Sequence, residues 1–380
     1  MASTTTNAAN LVTKFQKEVR REYVRGGRFA QYIGNTADAI IQTNKDLKKV
    51  SIPLITKLSG TGVVGSGALG GNEEPLSDYE ANLTPTYKRN GVLVDNEEGE
   101  KVEFDLVSEA RPALMNWGME LKRNEIIQAM GAIEAGGTYL NYGGSRGANG
   151  SAEATAANMD TWNAANQDRI LYGAASANNT SGDHTASLAT IDTTNDKMDM
   201  DMVELLKAKA ENANPLIRPV VLKGDEPWYV LFVGTYAFRD LRTNLRTLHS
   251  NAMERSEGNP LWSGGDLLVD GVVIKKVPEI DSLFIDGSGG DFGGEWGAGA
   301  GGDGLDNAGD SSSRVSMGFL CGAQALGFGI GRMPTFKRRK EDDYEHLSGV
   351  GLSMKHDIKK LFYNNVQHGM VTSFHSSTAA

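Results

Sequence analysis

The chain holds a single cysteine, Cys321. That count excludes a disulfide framework and any metal site built from several cysteines, and it fits a reducing compartment. Apolar runs all stop well short of the roughly 20 residues a membrane helix needs. The opening residues, Met1-Ala2-Ser3-Thr4-Thr5-Thr6, lack the basic-then-apolar order of a secretory signal. Positive charge is also short. With 38 Lys and Arg against 48 Asp and Glu, the net charge is −10, which argues against a protein that coats nucleic acid with its whole surface. A soluble, non-secreted, acidic protein is expected, and 380 residues suffice for two or three domains with a sizeable core.

Catalytic signatures are missing too. There is no GxxxxGK[ST], no HExxH and no paired CxxC. The six histidines (His184, His249, His346, His356, His368, His375) form no close ligand pair and read as surface or packed residues. Glu73-Glu74 and Asp342-Asp343 are adjacent, so in an extended segment their side chains point apart, unlike an acid/base dyad. Gly60-Thr61-Gly62-Val63-Val64-Gly65 has the GxGxxG spacing. A phosphate site needs a helix next, and Ser66-Gly67-Ala68-Leu69-Gly70-Gly71 is a poor helix former. Gly301-Gly302-Asp303-Gly304-Leu305-Asp306 resembles one calcium-binding nonapeptide, but that architecture stacks tandem copies and only one is present. No catalytic residue, metal ligand or cofactor is expected.

Glycine, by contrast, is abundant and clustered, at 46 residues, while proline is only 10. The pattern reads as folded blocks separated by loops. Residues 1–35 form an arm, with a short amphipathic helix expected from Leu11 to Tyr23 because Leu11, Phe15, Val19 and Tyr23 are four apart. Residues 1–50 carry nine Lys/Arg and four Asp/Glu, a local charge of +5, so the remainder carries −15. Such an arm is either solvated or lies near a polyanion or an acidic neighbour. Val50–Leu58 reads as a strand with an edge proline, Pro53, and Asp78–Val94 as a second extended stretch. Between them lies a glycine-rich tip holding Val63, Val64 and Leu69. A two-stranded ribbon is marginal alone in water, so this excursion is expected to lie on a neighbouring subunit.

Val102–Ile133 is the strongest helical stretch. One stripe is Phe104, Val107, Leu114, Trp117 and Leu121; another is Met115, Met119, Ile126, Met130 and Ile133. Pro112 either starts the main helix or kinks it. Residues 136–194, rich in Ala, Asn, Gly, Ser and Thr, read as an insertion with weak structure of its own and one helix near Met159–Leu171. A helix at Met198–Leu206 ending near Pro215, a buried strand Trp228–Val233, a helix through Phe238, Leu241, Leu245 and Leu248, and a hairpin at Leu267–Val277 with an Asp270-Gly271 turn follow. A second acidic glycine-rich loop spans 285–313, Ser316–Ile330 is apolar, and Thr335–Leu361 closes with short strands. Without a regular strand–helix rhythm, α+β is the expected class. Lys337-Arg338-Arg339-Lys340 abuts Glu341-Asp342-Asp343, either as a solvated strand edge or as a salt-sensitive intersubunit strip.

Several stretches, read together, resemble one family. Leu58–Gly65 leading into Leu69-Gly70-Gly71-Asn72-Glu73-Glu74-Pro75-Leu76 resembles the G-x-G-V-x-G…L-x-G-N-E-E-x-L signature of tailed-phage major capsid proteins related to the N-four-type podophages. Tyr87-Lys88-Arg89-Asn90-Gly91-Val92 is similar to its basic extended segment, and Asp105–Arg111 with Leu114–Trp117 to the start of its helix. Phe232–Arg242 resembles its strand-then-DLR block, Gly258–Gly264 its NPLF-G turn, Leu320–Gly327 its LGAQAL block and Asp343-Tyr344 its late Asp-Tyr. The resemblance implies a Hong Kong 97-type fold: N-terminal arm (1–35), extended loop region (36–101), spine helix of a peripheral domain (102–136), an insertion (137–198) the family motifs leave unexplained, axial domain (199–330) and return strands (331–380). It also implies a non-enzymatic shell protein in the virion, assembled in the host cytoplasm into hexamers and pentamers around double-stranded DNA. Portal, scaffolding or decoration proteins are the further partners, and no membrane is involved.

On that reading the intersubunit contact candidates are Val63, Val64, Leu69, Asn72, Glu73, Glu74, Tyr79, Arg89, Lys337, Arg338, Arg339, Lys340, Asp342 and Asp343. Lys14, Lys17, Arg20, Arg21, Arg25 and Arg28 are the arm candidates for the lumen, DNA or an acidic neighbour. No matched motif carries over the Lys–Asn cross-link of some members of the wider fold, so no covalent ladder is expected. A soluble enzyme would need a convergent polar pocket, and a calcium-dependent surface module would need secretion and tandem repeats. A scaffolding protein would lack the buried strand Trp228–Val233, and a decoration protein would be shorter.

Overall fold

The computed structural model describes residues 28–35, 37–44, 49–58, 60, 62–67, 69–95, 105–142, 152, 154–192, 194–223, 226–244, 262–263, 266–284, 315–338 and 347–377. In chain order the first elements are β1 (Ile33–Gly34), β2 (Ile40–Asn44), β3 (Val50–Ile55), β4 (Asp78–Leu83) and β5 (Thr86–Asp95). The long helix α1 (Leu106–Gly131) leads into the hairpin β6 (Ile133–Ala135) and β7 (Thr138–Leu140). Next come α2 (Ala156–Ala165), β8 (Ile170–Tyr172), α3 (His184–Leu188), α4 (Met200–Asn212), β9 (Val221–Lys223), β10 (Glu226–Val233) and α5 (Thr235–Asn244). After these follow β11 (Trp262–Ser263), β12 (Asp266–Val269), β13 (Val272–Lys276), α6 (Glu279–Phe284), β14 (Val315–Cys321), β15 (Leu326–Arg338), β16 (Leu347–Lys360), β17 (Phe362–Tyr363), β18 (Val366–Gln367) and β19 (Met370–Ser376). The mixture is α+β.

The chain divides into two compact units. The first takes Tyr87–Lys122 and Met333–Lys355 from the described residues, so it holds most of β5, the first part of α1 and the adjoining ends of β15 and β16. Its core is Leu114, Val350, Leu352 and Met354, with Trp117 and Leu121 packed against them. The helix stripe read from sequence is therefore the buried face. Gly118 lets helix and sheet approach, since a Cβ there would sit 3.1 Å from Leu352 and 3.3 Å from Met354. The second stripe fares differently: Ile126, Met130 and Ile133 are buried, whereas Met115 and Met119 are exposed. Pro112 does not start the helix, which begins at Leu106 and runs through it. Phe104 lies outside the described residues.

The second unit is organised by a sheet with the path β11–β12–β13–β10–β14–β19–β8. Strand β10 is buried on both faces, as its apolar run requires. Val230 and Phe232 enter one cluster with Trp162, Tyr172, Met317, Phe319 and Phe374. Leu231 and Val233 enter another with Met202 and Leu206 of α4 and Leu241 of α5. The β12–β13 hairpin turns at Asp270 (φ 42°) and Gly271 (φ 72°), the two positive-φ positions that an Asp-Gly type I′ turn demands. β3 and β4 pair antiparallel from Val50–Leu83 to Ile55–Asp78, with Pro53 opposite Glu80 on this two-stranded ribbon.

Two expectations need correction. The described residues of 136–194 do not have weak structure: they supply β7, α2, β8 and α3, and β8 joins the large sheet parallel to β19, with Ile170 opposite Thr372. The helix there is Ala156–Ala165 and ends before Leu171, which lies in β8. Small polar residues build this region through hydrogen bonds rather than apolar periodicity. Asn163 and Asn179 exchange amide bonds of 3.1 and 2.9 Å, and Asn166 Nδ2 donates to the Trp162 carbonyl at 2.9 Å. Asp196 accepts the Ala174 and Asp192 N–H groups at 2.7 and 2.9 Å. The closing strands are also not short, since β15 has 13 residues and β16 has 14. Glycines 327, 329, 349 and 351 erase the alternation that would have revealed their length. The expected helix at Leu11–Tyr23, Leu245 and Leu248 of the α5 stripe, and the 285–313 loop lie outside the described residues.

Candidate functional site

The loop from Thr56 to Ser77, with the strand ends that flank it, holds most of the exposed large apolar side chains among the described residues of the second unit. Val64 is 88% exposed, and Ile55, Leu58, Leu69 and Leu76 are each more than half exposed. Val63 and Tyr79 are also exposed. Burying one such side chain is worth about 1.5–3 kcal/mol, so a chain displaying this many along one loop presents a surface suited to a partner. The loop nevertheless has a defined path. Thr56 donates both its N–H and its hydroxyl to the Ser77 carbonyl, each at 3.0 Å. The Glu74 carboxylate accepts the Gly60 N–H at 2.6 Å, Glu73 accepts the Gly71 N–H at 2.7 Å, and the Asn72 N–H reaches the Leu69 carbonyl at 2.9 Å. Gly71 stands at φ +92°, a conformation closed to ordinary side chains.

At the root of the loop, Glu80 accepts bonds from Asn82 at 2.9 Å, Ser51 at 2.8 Å and Lys49 at 3.4 Å. Those hydrogen bonds, Asn82 foremost, hold its carboxyl down to about 2, so it stays ionised in mild acid. Glu73 and Glu74 thus tie the glycine-rich loop to itself. The sequence shows the pair but not this use; the signal was two carboxylates directly after a run of glycine N–H groups.

The remaining candidates divide by place. Asn72, Glu73 and Glu74 are exposed on the loop, while Arg89, Lys337 and Arg338 are exposed on β5 and β15 of the first unit. Arg28 is exposed at the start of the described chain. Lys14, Lys17, Arg20, Arg21, Arg25, Arg339, Lys340, Asp342 and Asp343 lie outside the described residues.

Titratable groups inside the second unit serve packing. His184 sits between two phenols, Tyr142 at 3.1 Å from Nε2 and Tyr172 at 2.7 Å from Nδ1, and burial pushes it down to about 3. Lys360 donates to the Ala132 carbonyl at 3.0 Å and to Gln367 Oε1 at 2.9 Å beneath the Trp162 and Phe362 rings; burial lowers it to about 7. Arg169 Nη1 reaches the Gln367 and His368 carbonyls at 2.7 and 3.0 Å. His356 Nε2 lies 2.7 Å from Glu125 Oε2. Among the described residues no group of His, Cys, Asp and Glu is placed to hold a metal ion. Cys321 is buried and its thiol is pushed up to about 12.

A family model described as phage capsid protein matches residues 3–377. The major capsid protein of Pseudomonas phage KPP25 is 26% identical over 374 residues, covering 92% of this chain and 89% of that one. Among solved structures, the cyanophage Pam1 capsid asymmetric unit superposes with a TM-score of 0.84 at 28% identity, over the full length of both chains. The capsid of Ralstonia phage GP4 follows the same fold with a TM-score of 0.68 at 18% identity, over 100% of this chain and 99% of that one.

Proposed function

The chain belongs to the phage capsid protein family, and from that premise we propose that it is the repeating unit of an icosahedral head of the Hong Kong 97 type, closing as hexamers and pentamers around double-stranded DNA. The observation that carries the reading is the pinned, apolar loop of Thr56–Ser77, a surface that the described residues leave uncovered. A shell protein needs self-association rather than a pocket, and symmetry repeats each weak contact around every ring. Val63, Val64, Leu69 and Tyr79 supply apolar area to a neighbouring copy, and Asn72, Glu73 and Glu74 hold the loop in shape for it. Arg89 and the strip Lys337, Arg338, Arg339, Lys340, Asp342 and Asp343 offer charges to adjacent subunits. Lys14, Lys17, Arg20, Arg21, Arg25 and Arg28 face the lumen, its DNA or an acidic neighbour.

The domain plan read from sequence fits this role: arm 1–35, extended loop region 36–101, spine helix 102–136, axial region 199–330 and return strands 331–380. The described residues of 137–198 act as part of the folded body. Assembly takes place in the host cytoplasm, with portal and scaffolding or decoration proteins as further partners. The test is negative-stain electron microscopy of the full chain expressed alone and fractionated by size. Rings of five or six and closed shells are expected. A monomer that persists across salt and concentration, with and without a co-expressed scaffold, refutes the reading.

A further inference from the structure

The sequence contains two Asn-Gly steps, Asn90-Gly91 and Asn149-Gly150, and the second lies outside the described residues. The first sits in the middle of β5, the end strand of its sheet, with β16 on one side only. In a hairpin turn such a pair is explained by the positive φ that both positions need. That reason is missing here, because neither Asn90 nor Gly91 has a positive φ. Space does not demand glycine either. A Cβ at position 91 would meet the Val350 carbonyl oxygen at 3.4 Å and Gly351 Cα at 3.5 Å, which are ordinary contacts.

What the pair has instead is a contact with chemical consequence. Both residues are exposed, and the Gly91 N–H donates to Asn90 Oδ1 at 2.9 Å. The outer side of an end strand has no ladder to hold its N–H groups. This N–H is given to the side chain just before it, so the Gly91 nitrogen lies against the Asn90 carboxamide, whose carbon is electrophilic. Glycine has no Cβ to shield that nitrogen.

We infer that Asn90-Gly91 is a self-modification site, where the folded chain converts an amide to a carboxylate without an enzyme. The Gly91 nitrogen gives its proton to a solvent base and attacks Asn90 Cγ. The N–Cγ bond forms, the Cγ–Nδ2 bond breaks, and Nδ2 leaves as ammonia with the proton returned by the base. Water opens the resulting succinimide at either carbonyl, giving aspartate or isoaspartate. The whole change consumes water and releases ammonia, and needs no oxidant or cofactor. Tyr87–Val94 carries Lys88 and Arg89 and no carboxylate, so conversion sets a negative charge directly beside Arg89. The isoaspartyl product also adds a carbon to the main chain in mid-strand, which throws the residues after it out of register with β16. Age thereby rewrites both the charge and the pairing of this strand. The inference needs only the folded chain and stands apart from the capsid reading.

Ageing the purified full chain at mildly alkaline pH tests it. Aliquots taken over several weeks are digested with trypsin, which cuts after Arg89 and releases the peptide running from Asn90 to Lys101. Electron-transfer mass spectrometry of that peptide separates asparagine, aspartate and isoaspartate at position 90, and a zero-time aliquot subtracts conversion during digestion. Both products are expected, with isoaspartate in excess, and at a rate that rises with pH because attack needs the deprotonated nitrogen. Gly91→Ala supplies the missing Cβ and is expected to slow conversion about tenfold while the melting temperature stays with the parent. Asn90 left intact in the folded chain, over a time in which the urea-unfolded chain converts, overturns the inference, because the strand then holds the two groups apart. Aspartate without isoaspartate overturns it as well, since a succinimide opens both ways. Equal rates in the parent and in Gly91→Ala do the same.

Discussion

At the scale of single residues, burial keeps three histidines of the second unit neutral. His184 and His375 are pushed down to about 3 by burial, and His368 to about 4 by burial and then by Arg169. An unfolded chain protonates them near pH 6.5. Below that value the unfolded state takes up protons that the folded state refuses, so stability falls as pH drops from about 6.5 toward 3. Each histidine costs about 1.4 kcal/mol per pH unit within the window. His184→Gln is expected to flatten the dependence of urea stability between pH 7 and 4; an unchanged slope would show that His184 is not the buried base described. Lys360 works on the alkaline side. Its folded value of about 7 lies below the ordinary 10.5, so stability from this group rises between those two pH values, and Lys360→Met should abolish that rise. Trp162, fully buried over Lys360, is expected to cost about 3–5 kcal/mol when cut to alanine, measured by chemical denaturation.

Elements show how far local sequence carries a fold. The Asp270-Gly271 turn, the doubly buried strand Trp228–Val233 and the Leu114–Trp117–Leu121 stripe are legible because turn chemistry and apolar period act within a few residues. The region from 136 to 194 is not legible, because it is held by amide and carboxylate bonds such as Asn163–Asn179 and Asp196–Ala174, which leave no periodic trace. Caps obey the same division. Asp199 caps α4 locally, accepting the Met202 N–H at 2.9 Å. The start of α5 is instead capped from afar: Asp281 of α6 accepts the N–H groups of Thr235 and Tyr236, and Gly234 leaves room for its carboxylate. Asp281→Ala is therefore expected to destabilise the unit by about 1–2 kcal/mol, read as a lower melting temperature with the fold retained. Asp281→Asn should recover part of that loss by accepting the same N–H groups.

For the whole molecule, the same loop that adds little to the stability of one chain should decide whether chains associate. Removing residues 62–70 is expected to leave monomer stability within about 0.5 kcal/mol of the parent while particles vanish from size-exclusion profiles. Unaltered yields from the shortened chain would remove the loop from assembly. The apolar Val63, Val64 and Leu69 on a glycine-rich tip are legible in the sequence, but the sheet of the first unit is not, because β5 and its partners β15 and β16 are more than two hundred residues apart. Chain order also has a consequence for synthesis. β19 follows every other strand of the large sheet in the chain, yet lies inside it between β14 and β8. A nascent polypeptide on the ribosome can build the remaining strands but cannot zip this sheet shut until Met370–Ser376 has left the exit tunnel. Any product of premature termination upstream of Met370 keeps an open seam there. Translation thereby screens its own output: only chains carried through β19 attain the finished body that a closed lattice can accept.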